Sequence, residues 1–84
     1  MNKRDRVDEF LEDGLYLDPP VFDRAIIGVC HRFGMEPVIA YDRKKVIDIL
    51  ARDMSREDAE EYFEFNTIGA WVGEQTPVFI EVIK

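Results

Sequence analysis

Cysteine and histidine are nearly absent from this chain, which has one of each, Cys30 and His31, in 84 residues. A single cysteine excludes an intramolecular disulfide and a cysteine-rich zinc site. A single imidazole would need several carboxylates around it to complete a zinc site. We therefore predict no metal and no other cofactor. The core is expected to hold the fold without cross-links, as is usual in the cytosol.

Long apolar runs are also missing. No stretch approaches the roughly 18 consecutive apolar residues that a membrane-spanning helix needs. The N-terminus, Met1-Asn2-Lys3-Arg4-Asp5-Arg6, has no apolar run behind it, so we expect no secretory signal. These absences predict a cytoplasmic protein with no membrane partner.

Positive charge is scarce, with 11 basic against 18 acidic residues and a net charge of −7. Because phosphate binding relies on clustered Lys and Arg, we predict no direct nucleic-acid partner. Six acidic residues and one basic residue, Arg56, lie between positions 53 and 64. Such a run usually forms a solvated helix face, although it could also mimic nucleic acid or meet a basic protein. The basic run Arg43-Lys44-Lys45 is expected to contact acidic groups of a neighbouring helix.

A chain of this length supports one domain. We predict a single domain over 1–84, with an N-terminal helix and Pro-containing linker at 1–20 and the core at 21–84. Apolar spacing predicts helices over Asp5–Asp13 and Val21–Phe33. Within the second helix, Gly28 is interpreted as a point where another element packs closely.

The rest of the chain alternates between predicted strands and helices. Strands are predicted at Pro37–Tyr41 and Val78–Ile83 from their β-branched and aromatic residues. Asp42 is a candidate N-cap for a helix over Arg43–Asp53, and Ser55 for a helix ending near Ala70 or Trp71. The predicted fold class is a small, mostly helical α+β domain in the order α-α-β-α-α-β. Its two-stranded sheet would pack on the helices or pair through an open edge with another chain.

No catalytic motif occurs in the sequence. It lacks the glycine-rich phosphate and dinucleotide loops and the zinc-protease helix. Cys30 and His31 are neighbours, and adjacent residues of a helix do not face each other, so the thiol is not expected to be activated. We predict a protein that is not an enzyme.

The segment from Tyr62 to Pro77 carries the candidate binding residues. Aromatic side chains, an amide and the sole tryptophan lie close together there, as in interface hot spots. Asn66 is predicted on the apolar helix face, where it either contacts a partner or bonds to nearby backbone. The candidate partner-binding residues are Tyr62, Asn66, Trp71, Glu74 and Thr76.

Two blocks, Arg32–Val38 and Glu61–Pro77, with Tyr41-Asp42 between them, resemble a family of small uncharacterised proteins encoded by bacteriophages and prophages. The resemblance extends from about Phe22 to Phe79, and the second block is its specific part. It carries over no activity and no catalytic residues. It implies a phage or prophage accessory protein that acts in the bacterial cytoplasm.

Three functions remain open on these grounds. The leading hypothesis is a non-enzymatic module that binds a host or phage protein through the segment from Asn66 to Pro77. The first alternative is an acidic mimic that inhibits a nucleic-acid-binding host defence enzyme. The second alternative is a small-molecule or enzymatic pocket around Tyr62, Asn66 and Trp71. A homodimer is possible in each case.

Overall fold

Short helices and three strands make up the part of the chain that the structure, a computed structural model, describes: residues 2–12, 14–70 and 72–83. The elements are α1 (Lys3–Val7), a 3-10 helix (Pro20–Ala25), β1 (Ile26–Arg32), β2 (Met35–Asp42), α2 (Arg43–Leu50), α3 (Arg56–Tyr62), a π-helical segment (Phe63–Thr67) and β3 (Val78–Ile80). The chain is therefore a small α+β domain, as predicted. None of the described helices is long and apolar enough to cross a membrane.

The sheet has three strands in the order β1-β2-β3, so the predicted two-stranded sheet is wrong. The central strand β2 pairs antiparallel with β1 and parallel with β3. Tyr41 of β2 lies opposite Ile26 on one side and Phe79 on the other. A parallel pair needs a crossover connection, which α2, α3 and the π-helical segment supply. The helical elements are thereby held on the sheet.

The predicted helix over Val21–Phe33 is wrong, and with it the order α-α-β-α-α-β. A 3-10 helix occupies Pro20–Ala25, and the strand β1 follows it. The apolar residues fit a helical spacing, but Ile26, Ile27 and Val29 are β-branched and favour a strand. Gly34, at a φ of 71°, allows the tight turn that lets β1 pair with β2. Pairing with β2 therefore outweighs the apparent helical period.

Gly28 is not a point of close approach. A Cβ added to it would meet no atom within 4 Å. The residue lies beside an irregularity in the pairing of β1 with β2, between Ile26 and Gly28. Glycine in a strand often marks such a break in register, which accounts for its place here.

Both predicted helix caps are confirmed. The Asp42 carboxylate accepts a hydrogen bond from the Lys45 amide at 3.2 Å, and the Ser55 hydroxyl accepts one from the Asp58 amide at 3.1 Å. The helix ends differ from the prediction, because α2 ends at Leu50 and α3 at Tyr62. The π-helical segment continues α3 only to Thr67, short of the predicted Ala70, and Trp71 lies outside the described residues. The strand β3 is also shorter than predicted.

The core lies between β2 and the helices. Its largest fully buried side chains are those of Tyr41, Phe63, Ile39, Ile47, Val38 and Val46. Phe79 of β3 joins them, stacked on Tyr41 at 5.9 Å and edge-on to Phe63 at 5.1 Å between ring centroids. Val7 and Leu11 are buried in the same cluster. The N-terminal residues are thus part of the core's packing.

Candidate functional site

An open apolar groove of about 560 Å³ lies between the N-terminal segment and the C-terminal half of the chain. Three stretches of chain form its walls: the residues that lead into the 3-10 helix, the end of α2 with the turn after it, and the π-helical segment with the loop after it. Phe22 and Phe79 also line it, and Phe79 connects it to the core. The groove is therefore built on packed elements.

The first wall, 15–22, is tied to the sheet and to α1. The Leu17 amide donates a hydrogen bond to the Tyr41 hydroxyl at 2.8 Å. The Arg4 guanidinium lies over the Tyr16 ring at 4.0 Å from its centroid, and it forms an ion pair with Asp23 at 2.6 Å. Burial raises the pKa of both Tyr16 and Tyr41. These contacts hold the wall in place without occupying the groove.

The second wall comes from the end of α2 and the turn that follows. Ile49 and Leu50 present aliphatic side chains, and Asp53 and Met54 follow them. Methionine is unbranched and polarisable, so Met54 can adjust to ligands of different shape. This wall combines an adaptable apolar surface with one carboxylate.

The third wall depends on the change from α-helix to π-helix. Phe63 points into the core and is 0% exposed, whereas the neighbouring Tyr62 is 45% exposed and lines the groove. Asn66 and Thr67 line it further along. The Ile68 amide bonds to the Phe63 carbonyl at 2.8 Å, which closes the wide turn. Such π turns alter side-chain spacing and are frequent at functional sites.

The structure brings together three of the candidate residues. Tyr62, Asn66 and Thr76 all line the groove. Glu74 does not line it; its backbone carbonyl instead accepts a hydrogen bond from the Arg32 guanidinium at 2.8 Å. Trp71 lies outside the described residues. Three of the five candidate residues therefore lie at one concavity.

Asn66 is exposed, so its predicted place on the buried face is wrong. An α-helical period would align it with Ala59 and Phe63, which are both buried. The wide turn that begins at Phe63 breaks this period and leaves Asn66 at the groove. The amide is therefore available to a ligand.

Thr76 shapes the loop beyond the groove. Its hydroxyl donates to the Gly73 carbonyl at 2.6 Å and accepts from the Val72 amide at 2.9 Å. Gly73 has a φ of 107°, a conformation that a larger residue rarely adopts. Thr76 thus fixes the loop that carries Val72 and Pro77, which both line the groove.

Charge around the groove is of one sign. Asp18 and Asp53 line it, while Asp58 and Glu61 line a depression that shares Met54, Tyr62 and Asn66 with it. Among the described residues, these four carboxylates form no ion pair, and no basic side chain lines either concavity. The site is therefore apolar inside and acidic at its edge.

Other acidic residues are neutralised by neighbours. Arg43 pairs with Glu64 at 3.1 Å, which confirms the expected contact between the basic run and the neighbouring helical segment. Asp48 pairs with Arg56, and with Lys44 at 3.2 Å. The hydrogen bond from Arg56, assisted by Lys44, lowers the pKa of the Asp48 carboxyl. The acids of this side are thus engaged within the fold.

Cys30 and His31 are not brought together. In the strand β1, consecutive side chains point to opposite faces. Cys30 is half-buried, whereas His31 is exposed and its ring lies edge-on to Phe10 at 6.3 Å between centroids. Within the described ranges, no group of three or more His, Cys, Asp or Glu side chains is placed to hold a metal ion.

The first wall lies within the predicted N-terminal linker. Leu15-Tyr16-Leu17 belongs to the Pro-containing segment at 1–20, yet it lines the groove. The signal in the sequence is an apolar triplet separated by one residue, Asp18, from two prolines, because a solvated linker would seldom carry such a triplet. What the triplet packs beside depends on the tertiary fold and has no local signature.

No family model, curated protein or solved structure matches this chain.

Proposed function

We propose that this chain is a non-enzymatic accessory protein of a phage or prophage that binds a segment of a host or phage protein in the groove. The observation that carries the proposal is the groove itself, an open concavity of about 560 Å³ formed by three stretches of chain. Most of its lining side chains are apolar, and burial of apolar side chains of a partner is the main source of binding free energy.

The polar groups of the groove support binding more than catalysis. Asn66 offers an exposed amide, which suits recognition of a partner's backbone. The Thr76 hydroxyl donates a hydrogen bond to the Gly73 carbonyl, so its hydrogen is already engaged within the loop. Tyr62 combines a large apolar ring with a polar end, a residue type enriched at hot spots. The groove thus has anchors and a few orienting groups.

Selection of peptides from a random display library tests the proposal. Selected peptides are measured against wild type and two groove variants, Tyr62→Ala and Ala70→Phe, which remove one wall residue and fill the groove. Phe33→Ala is the control, because Phe33 is 104% exposed and lies in the turn between β1 and β2. We expect at least about tenfold weaker binding to both groove variants, as hot-spot residues show, and unchanged binding to the control.

Equal binding to wild type and both groove variants would remove the groove from the proposal. Trp71→Ala extends the same series, since in the sequence Trp71 lies between Ala70 and Val72, two groove residues. We expect this variant to bind more weakly as well. Unchanged binding would limit the site to Tyr62, Asn66 and the opposite walls.

A second candidate function is the binding of a small apolar molecule around Asn66. The size of the groove favours it, because small-molecule pockets have volumes of roughly 300–1,000 Å³. A thermal-shift screen of apolar fragments against wild type and Ala70→Phe tests it. Fragments that stabilise wild type alone would support a pocket, and equal shifts for both proteins would count against it.

The acidic-mimic hypothesis has less support. It requires a continuous negative surface, whereas Glu64 pairs with Arg43, and Glu60 lies 3.9 Å from Arg56. Asp53, Asp58 and Glu61, which form no ion pair within the described residues, adjoin apolar side chains instead. This arrangement suits an apolar ligand with positive charge better than a phosphate-binding enzyme.

A further inference from the structure

We infer that the groove's ligand is an amphipathic protein segment in which apolar anchor residues are flanked by Lys and Arg. This inference rests on the proposed function and specifies the chemistry of the partner. It starts from the sign of the charge at the groove. Asp18 and Asp53 line the groove itself, and Asp58 and Glu61 line the depression beside it.

The charge of these four carboxylates is not neutralised by any basic side chain of the described residues. In the described part of the chain, Asp48, Glu64 and Asp23 are each paired with an arginine, whereas the four groove acids form no ion pair. Arg52, next to Asp53 in the sequence, lines neither concavity. The negative potential at the groove is thus left uncompensated by the fold.

The two concavities form one continuous surface. They share Met54, Tyr62 and Asn66, so a ligand that extends from the groove across these residues meets Phe65 in the depression. Phe65 is 76% exposed. Large apolar side chains at such a surface mark interaction sites. A segment with apolar anchors in the groove would therefore place its flanking residues beside Asp53, Asp58 and Glu61.

Charge complementarity selects among possible occupants. An acidic or neutral segment would leave the carboxylates unpaired or repel them, whereas Lys and Arg would pair with them at the solvent-exposed edge. Exposed pairs contribute more to selectivity and association rate than to affinity. The apolar anchors thus provide the affinity, and the acidic edge provides the preference for a basic partner.

Three fluorescein-labelled synthetic peptides test this inference. They share the same Leu and Phe positions and differ only in whether Lys, Gln or Glu occupies the remaining positions. Affinity is measured by fluorescence anisotropy at low salt. We expect affinity to fall from the Lys peptide to the Gln peptide to the Glu peptide, by about tenfold at each step. Like charge disfavours encounter with the acidic edge, and opposite charge favours it. Added salt should reduce the differences, since the edge is exposed.

Matched variants assign the preference to the groove. Asp18→Asn, Asp53→Asn and Glu61→Gln together remove three charges from the site. Glu9→Gln, Glu12→Gln and Glu36→Gln remove three charges from a separate depression. The first triple variant should lose most of the difference between the Lys and Glu peptides, and the second should keep it. Denaturant unfolding of both proteins confirms that each is folded.

The remaining outcomes separate the inference from the proposed function. If wild type binds the three peptides with equal affinity and Ala70→Phe abolishes that binding, the inference would be overturned and the groove would remain a binding site. Peptide binding that Ala70→Phe does not change would overturn both. Concentration-dependent dimerisation that Ala70→Phe abolishes would show that a second copy occupies the groove, and would also overturn the inference.

Discussion

The two faces of the segment that runs from α3 into the π-helix behave in opposite ways. One face, with Ala59 and Phe63, is completely buried in the core. The other face, with Tyr62, Phe65 and Asn66, is exposed although it carries two large aromatic rings. Both faces are apolar in part, yet only the first is covered by the fold. The difference teaches that aromatic content alone does not mark the core.

The contrast extends to charge. On the side where α2 meets α3, Asp48 is held by Arg56 and Lys44, and Glu64 is held by Arg43. On the groove side, Asp53 and Glu61 form no ion pair within the described residues. The fold thus satisfies one acidic surface internally and leaves the other available to a partner.

The sharpest test of the contrast between the faces is the pair Phe63→Ala and Phe65→Ala. Removing the buried ring should lower the free energy of unfolding by about 3–5 kcal/mol, as for other large-to-small core substitutions. That is a large part of the roughly 4–13 kcal/mol that a domain of this length has. Removing the exposed ring should change it by less than about 0.5 kcal/mol. Urea unfolding measures both.

Equal destabilisation by the two substitutions would contradict the division into a core face and a groove face. A large loss for Phe65→Ala alone would place the core on the other side of the segment.

Tyr41→Phe tests how the core supports the groove. The Tyr41 hydroxyl accepts a hydrogen bond from the Leu17 amide, and its loss leaves that amide without this partner. We expect about 1–3 kcal/mol of destabilisation. Peptide affinity should also fall, because Leu17 belongs to the first wall of the groove. Tyr16→Phe, which removes the hydroxyl of a tyrosine in the first wall, is the matched variant.

Tyr41→Phe should also change how the free energy of unfolding depends on pH. Burial raises the pKa of Tyr41 in the folded state above its unfolded value, so the hydroxyl stabilises the fold below about pH 10. This contribution is lost as the pH rises through the folded pKa, because the unfolded chain then releases the proton more readily. Wild type should therefore lose stability above about pH 10, and Tyr41→Phe should show a shallower slope. Identical slopes would show that Tyr41 does not contribute.

The smallest expected change in stability comes from substitutions on the two acidic surfaces. Asp48→Asn removes two exposed ion pairs, with Lys44 and Arg56, whose shared carboxylate is 41% exposed, so the loss should be about 0.5 kcal/mol. The lowered pKa of Asp48 means that this contribution is present above about pH 4 and lost as the pH falls through the folded pKa. Asp53→Asn should leave stability unchanged or raise it slightly, since it relieves repulsion within an acidic region. Thermal unfolding at low salt measures both, and a larger loss for Asp53→Asn would reverse the comparison.

Some features of this fold follow from local sequence signals. Asp42 and Ser55 begin helices because each side chain accepts a hydrogen bond from a backbone amide three residues further on. Such signals act over one turn, so a single sequence reveals them. The α+β class follows from the alternation of helical and strand patterns. Of the five candidate residues, Tyr62, Asn66 and Thr76 line one concavity.

Other features depend on contacts distant in sequence. The apolar residues of β1 fit a helical period as well as a strand, and pairing with β2 decides between the two. The π turn at Phe63 moves Asn66 out of the core, and no residue type in the segment predicts such a turn. The wall formed by 15–22 is held by contacts such as the bond from Leu17 to Tyr41, which lies 24 positions further along the chain. Tertiary packing supplies what the local pattern leaves open.

The most direct test of the central claim is the mapping of amide resonances in isotope-labelled protein as the Lys peptide is added. The account predicts saturable shifts at Leu17, Asp53, Tyr62 and Asn66, with little change at Ile27 and Phe33 on the β1 side. The same shifts should disappear in Ala70→Phe. Shifts concentrated at Ile27 and Phe33, or shifts that persist at the groove in Ala70→Phe, would contradict it.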